Sequence, residues 1–128
     1  SLVLGGGHSI GVPLAVSADY SFIARSATMT VHPIRTNGLV IGVPQSFEYL
    51  WKIQERITDF VERNSNISHD EFTKLLLNND DIANDVGTVL FGKDAAECGL
   101  INEVGGLSDA IDKLYSLIEK GKKDTDKH

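Results

Sequence analysis

The sequence predicts a mixed α/β domain, and three observations carry that prediction. Short runs rich in β-branched and aromatic residues, Tyr20 to Ala24, Thr28 to His32 and Val86 to Phe91, read as strands. Longer stretches, Phe47 to Val61 and Ser108 to Glu119, repeat apolar residues at helical spacing. Turn signals separate these runs, with no internal repeat and no low-complexity segment. At 128 residues and 41% apolar content, the chain suits one domain with its own core.

Taken in order, Leu2 to Leu4 reads as a buried strand that runs into the turn Gly5-Gly6-Gly7. From Ser9 to Ser17 the residues Ile10, Val12, Leu14, Ala15 and Val16 are too densely apolar for a surface helix and predict a short buried one. Pro13 falls in its first turn, where a missing N–H costs nothing. Arg25-Ser26 and Asn37-Gly38 mark turns, and Leu39 to Val43 is a strand or an ordered loop. A long helix opens at Pro44 or Ser46 and ends near Asn64, with Phe47, Leu50, Trp51, Ile57, Phe60 and Val61 as its apolar stripe. Ser68-His69-Asp70-Glu71 has capping-box spacing, so Ser68 starts a helix carrying Phe72, Leu75, Leu76 and Leu77.

Beyond the Val86 to Phe91 strand, Ala95 to Cys98 forms a short helix stopped by Gly99. Leu100 to Val104 is the last extended piece. Ser108 is then the expected N-cap of a final helix that turns Ala110, Ile111, Leu114, Leu117 and Ile118 inward. The domain is expected over residues 1–119, with a frayed polar tail over residues 120–128. Because the first residues already read as mid-sheet strand, the chain is expected to be the C-terminal part of a longer domain.

Charge and composition exclude several classes. A net charge of −6 and no basic stripe interleaved with aromatics argue against a nucleic-acid surface. The lone Cys98 rules out an internal disulfide and points to a reducing, cytoplasmic setting. No apolar run approaches the ~20 residues that cross a bilayer. The four histidines show no metal-ligand spacing, and Gly5-Gly6-Gly7 lacks the lysine of a phosphate loop, so neither metal nor cofactor is expected.

The residue with most chemistry in its surroundings is Ser9, in Gly7-His8-Ser9-Ile10-Gly11. A small hydroxyl on a glycine-flanked strand-to-helix turn is a way to expose a nucleophile, and the next amide, that of Ile10, is then free to bind an oxyanion. His32 ends a strand-like run 23 residues later. The plain alternatives are that Ser9 is a helix N-cap and His32 a packed strand-end residue. His8 diverges from Ser9 on the turn, and His69 and His128 read as surface and tail. Asp19 suits a turn that satisfies backbone amides, and Arg35 a solvated loop.

Three segments in this order, Gly-Gly-Gly-His-Ser9-Ile-Gly, Thr28-Met29-Thr30-Val31-His32-Pro33 and Asp94-Ala95-Ala96-Glu97-Cys98-Gly99-Leu100-Ile101-Asn102-Glu103-Val104, resemble the ClpP-type serine peptidases over residues 2 to 118. The stretches His32 to Arg35 and Gly38 to Gln45 are closer to one branch of that family, the translocation-enhancing branch of Gram-positive spore formers. The resemblance implies a ClpP/crotonase-like spiral of ββα units. It also implies a triad with Ser9 as nucleophile, His32 as base and the Ile10 amide as oxyanion donor. Its third member falls on Asp85 or Thr88. The family's second oxyanion donor lies on a Gly-Gly segment that would precede Ser1.

As partners the resemblance implies unfolded or short peptides, a homo-oligomeric ring joined through the Phe47–Val61 helix, and an ATP-driven unfoldase. Protein export follows from the branch alone. Two other readings stay open: a crotonase-fold acyl-CoA enzyme, to which Ala18-Asp19 would belong, and a catalytically silent assembly subunit.

Overall fold

The computed structural model describes residues 1–80 and 86–125. Its elements run β1 (Leu2–Val3), β2 (Gly6–His8), α1 (Gly11–Val16), β3 (Phe22–Ile23), β4 (Thr28–Val31), α2 (Val43–Asn64), α3 (His69–Leu77), β5 (Thr88–Phe91), α4 (Gly92–Glu97), β6 (Glu103–Val104) and α5 (Leu107–Thr125). The strands form two three-stranded sheets, β1-β3-β6, all parallel, and β2-β4-β5. In the second sheet β2 and β4 run parallel and β5 runs antiparallel to β4.

The two ββα units, β1-β2-α1 and β3-β4-α2, each place their first strand in one sheet and their second strand in the other. Chain that leaves one sheet, enters the other and returns by a helix winds as a spiral. The α/β class and the expected spiral of ββα units therefore follow from the pairing itself.

The core lies between these layers. Val12, Ala15 and Val16 of α1 meet Ile23, Met29 and Val31 of the strands, and Val61, Phe72 and Leu76 close it from α2 and α3. Leu90, Ala95, Leu100 and Ile101 complete it from the α4 side. Ser68 caps α3 as its spacing predicts, accepting the Glu71 N–H at 3.2 Å. Gly99 stops α4 at φ +81°, where a Cβ would stand 2.9 Å from the Asn66 backbone. No other residue fits that corner.

Several expectations change. The glycine run is not only a turn, because Gly6–His8 extend beside β4 with Gly7 buried against Met29. Leu39 to Val43 forms no strand, and Leu39 and Ile41 stand in the open. Within α1 only Val12, Ala15 and Val16 are buried, while Ile10 and Leu14 are exposed.

The last helix departs furthest. It begins at Leu107, so Ser108 lies inside it rather than at its N-cap. Its first turn is instead fastened by Asp109, which accepts the Gly106 N–H at 2.7 Å. The helix continues through Lys120 to Thr125, a stretch expected to be frayed. Its stripe of Ile111, Leu114, Leu117 and Ile118 is exposed rather than turned inward. Among the described residues no helix is long and apolar enough to cross a membrane.

Candidate active site

The site is built where two neighbouring parallel strands end. The register pairs Gly6 with Thr28 and His8 with Thr30, so β2 and β4 finish at the same edge of their sheet. The Ser9 N–H adds one more rung, donating to the Thr30 carbonyl at 3.0 Å. At that point the backbone swings to φ +55°, the one positive φ outside glycine among the described residues. Such a conformation costs about 1–3 kcal/mol in a residue with a Cβ and survives only where its surroundings impose it. Here they do, since the Ser9 carbonyl already accepts the Val12 N–H at 3.0 Å to start α1.

The N-cap of α1 is Ile10, with no side-chain cap bond, so Ser9 does not serve as a helix cap. Its exposed side chain projects from the strand end, and the Ile10 amide follows it directly.

His32 leaves the end of β4 in the same way, one crossover later. Ser9 and His32 line one cavity of about 300 Å³, walled by Ile10, Val31, Ile34, Ile57, Phe72 and Leu76. No hydrogen bond joins the Ser9 hydroxyl to the imidazole in this structure. The His32 Nδ1 donates to the carbonyl of Pro33 at 2.7 Å. A carbonyl can only accept, so Nδ1 carries the proton and Nε2 is left with its lone pair.

Two further residues hold this arrangement. Gln54, from α2, accepts the Ile34 N–H at 2.8 Å. Gly87 lies behind the histidine, where a Cβ would come within 2.9 Å of the His32 Cβ and 2.5 Å of the Val31 carbonyl.

The remaining candidates separate clearly. Asp85 lies outside the described residues. Thr88 is buried opposite Val31 in the β4–β5 ladder, and its hydroxyl donates to the Leu75 carbonyl at 2.7 Å. His8 turns to the other face, with Nδ1 2.7 Å from the Thr30 hydroxyl. His69 joins α3 to α2 through Glu55 at 3.5 Å. Asp19 lines a separate groove with Tyr20 and Lys113. Burial pushes the Cys98 thiol above its ordinary range, and its Sγ points to the Ala95 carbonyl, away from this chemistry. Among the described residues, no group of three or more His, Cys, Asp or Glu side chains is arranged to hold a metal.

Two partners of the site carried no signal in the sequence. The Pro33 carbonyl is main chain and has no side-chain signature. Gln54 sits on the helical stripe's flank, 20 residues from the amide it binds.

Known proteins resemble this chain along nearly its full length. The family model described as Clp protease matches residues 1–107. The translocation-enhancing protein TepA of Halalkalibacterium halodurans is 58% identical over 120 residues, which cover 94% of this chain and 47% of that protein. The chain thus spans about half the length of the curated relative it matches. The chain therefore belongs to the Clp protease family.

Proposed function

We propose that the protein is a serine peptidase in which Ser9 is the nucleophile and His32 the general base. One observation carries the reading: a serine held at φ +55° on a strand end shares a cavity with a histidine from the neighbouring parallel strand's end. The strand-to-helix turn imposes this conformation on Ser9, and a nucleophile gains from it by projecting into a cleft.

In the proposed mechanism Ser9 Oγ attacks the scissile carbonyl carbon as its proton passes to His32 Nε2. The Ile10 amide binds the oxygen that becomes negative. Collapse of the tetrahedral intermediate breaks the C–N bond, and Nε2 returns the proton to the departing amine. Water then repeats the sequence on the acyl-serine. Throughout, Nδ1–H stays on the Pro33 carbonyl, which occupies the position of a third triad member.

The setting we propose is a cytoplasmic homo-oligomeric ring, joined through the Phe47–Val61 helix and fed unfolded peptides by an ATP-driven unfoldase. The relative is named for enhancing translocation, and we propose a link to protein processing or export. The family match favours hydrolysis over the crotonase-type acyl-CoA chemistry that the fold also allows.

A second reading, an inactive assembly subunit, draws on a specific observation. Among the described residues no carboxylate contacts His32, and a backbone carbonyl stabilises imidazolium less than a carboxylate does.

A fluorophosphonate probe and Ser9 variants separate the two. The peptidase labels at Ser9, and Ser9→Ala abolishes cleavage of a fluorogenic peptide while the chain stays folded. Ser9→Gly also abolishes cleavage and raises stability by about 1 kcal/mol by releasing the strained backbone. Cleavage by Ser9→Ala at the parent rate would remove Ser9 from the mechanism. Assembly without labelling would select the inactive subunit.

A further inference from the structure

We propose that Gln54 is a positioning residue for His32, acting through the peptide group between Pro33 and Ile34. The inference rests on the peptidase reading for its catalytic meaning, and on geometry alone for the coupling.

That peptide group is held at both ends. Its carbonyl oxygen accepts from His32 Nδ1 at 2.7 Å, and its N–H donates to Gln54 Oε1 at 2.8 Å. The two bonds polarise the same amide in the same sense. Donation at the nitrogen leaves the oxygen more negative and a stronger acceptor for the imidazole N–H. It also fixes the peptide plane, so the oxygen faces Nδ1 rather than swinging to solvent.

Gln54 is itself oriented. Its Nε2 donates to the Thr58 hydroxyl at 3.3 Å, one turn along α2, and Thr58 is 1% exposed. That bond selects the amide rotamer whose oxygen, not its NH₂, meets the Ile34 N–H. A flipped amide would set donor against donor.

The chain Thr58–Gln54–peptide–His32 thus selects the tautomer with Nε2 unprotonated. Only that tautomer can take a proton from Ser9. Gln54 lines the site cavity, and its side-chain hydrogen bonds go to Ile34 and Thr58 rather than to the reacting groups. Its influence passes through the imidazole, as that of a carboxylate orienting a catalytic histidine does.

The test compares Gln54→Met, which keeps length and helix preference but loses the acceptor, with Gln54→Glu, which keeps an acceptor oxygen. Both are made in the full chain. The primary readout is the ¹⁵N spectrum of the His32 ring, assigned by its disappearance in His32→Asn. The parent and Gln54→Glu are expected to hold the Nδ1–H tautomer, and Gln54→Met to populate Nε2–H substantially. In parallel, kcat for a fluorogenic peptide should fall about 10-fold in Gln54→Met with KM within about twofold, and recover in Gln54→Glu.

An unchanged His32 tautomer in folded Gln54→Met overturns the proposal, as does a Gln54→Glu protein that behaves like Gln54→Met. Should Gln54→Met not fold, Thr58→Val decides: a partial tautomer shift supports the coupling and none overturns it. A tautomer shift in a protein that never cleaves peptide upholds the coupling and defeats the peptidase reading instead.

Discussion

Helices α3 and α5 carry the same kind of sequence signal and meet opposite fates. Both repeat apolar residues at helical spacing, and both are fastened at their amino ends by a side chain that accepts a backbone N–H. Yet α3 drives Phe72 and Leu76 into the core, while α5 leaves Leu107, Ile111, Leu114 and Ile118 exposed. What holds α5 is polar. Lys113 lies 3.9 Å from the centre of the Tyr20 ring and 4.0 Å from Glu103, and the Tyr20 hydroxyl donates to Glu103. Periodicity states that a face exists; burial needs a partner surface, and α3 finds one between α2 and β5 where α5 finds a tether. Helix α2 shows both outcomes along its own length, with Thr58 and Val61 buried and Phe47, Tyr49 and Trp51 in the open.

The largest effect should come from the buried side of this contrast. Phe72 is 2% exposed and closes the site cavity from α3. Phe72→Ala should lose about 3–5 kcal/mol, read by denaturant unfolding, because transfer and cavity costs add. A loss below about 1 kcal/mol would mean that α3 collapses onto the vacancy and is not the wall it looks. Peptide cleavage should fall with it.

Next in size is an effect on association. Phe47 and Trp51 stack with ring centroids 6.3 Å apart on the exposed half of α2, a patch of the kind that marks contact surfaces. The double variant Phe47→Ser, Trp51→Ser should sediment as a smaller species with its thermal unfolding little changed. Unchanged sedimentation would remove this stripe from the proposed ring contact.

Much of this arrangement was legible in the residues, and the exceptions share a cause. Ser68 and Gly99 announce themselves because local backbone geometry selects serine or glycine there, and the Ser9 turn does so through the glycines that flank it. The parallel register that brings Ser9 and His32 to one edge left no such mark, since short strands read singly do not state their pairing. What stayed hidden depends on the main chain or on long range. The Pro33 carbonyl on His32, the Gln54 clasp on Ile34 and the strand formed by three residues rich in glycine leave no periodic mark. Ser108 misled because any serine before an apolar run reads as a cap, whereas Asp109 reaching back to Gly106 fills the same need.

The smallest expected effect tests the exposed side of the contrast most sharply. Ile118 is 45% exposed, late in α5, so Ile118→Ser removes little buried area. Isoleucine and serine also have similar helix preference. The change should move unfolding stability by no more than about 0.5 kcal/mol, as surface substitutions do. That holds only if nothing covers the stripe in solution. A loss of 2 kcal/mol or more, deepening with protein concentration, would show that copies of the chain bury the face against one another. A loss of that size independent of concentration would place a surface of the same chain over it. Either result would erase the difference between α3 and α5, leaving two amphipathic helices that are both fully used.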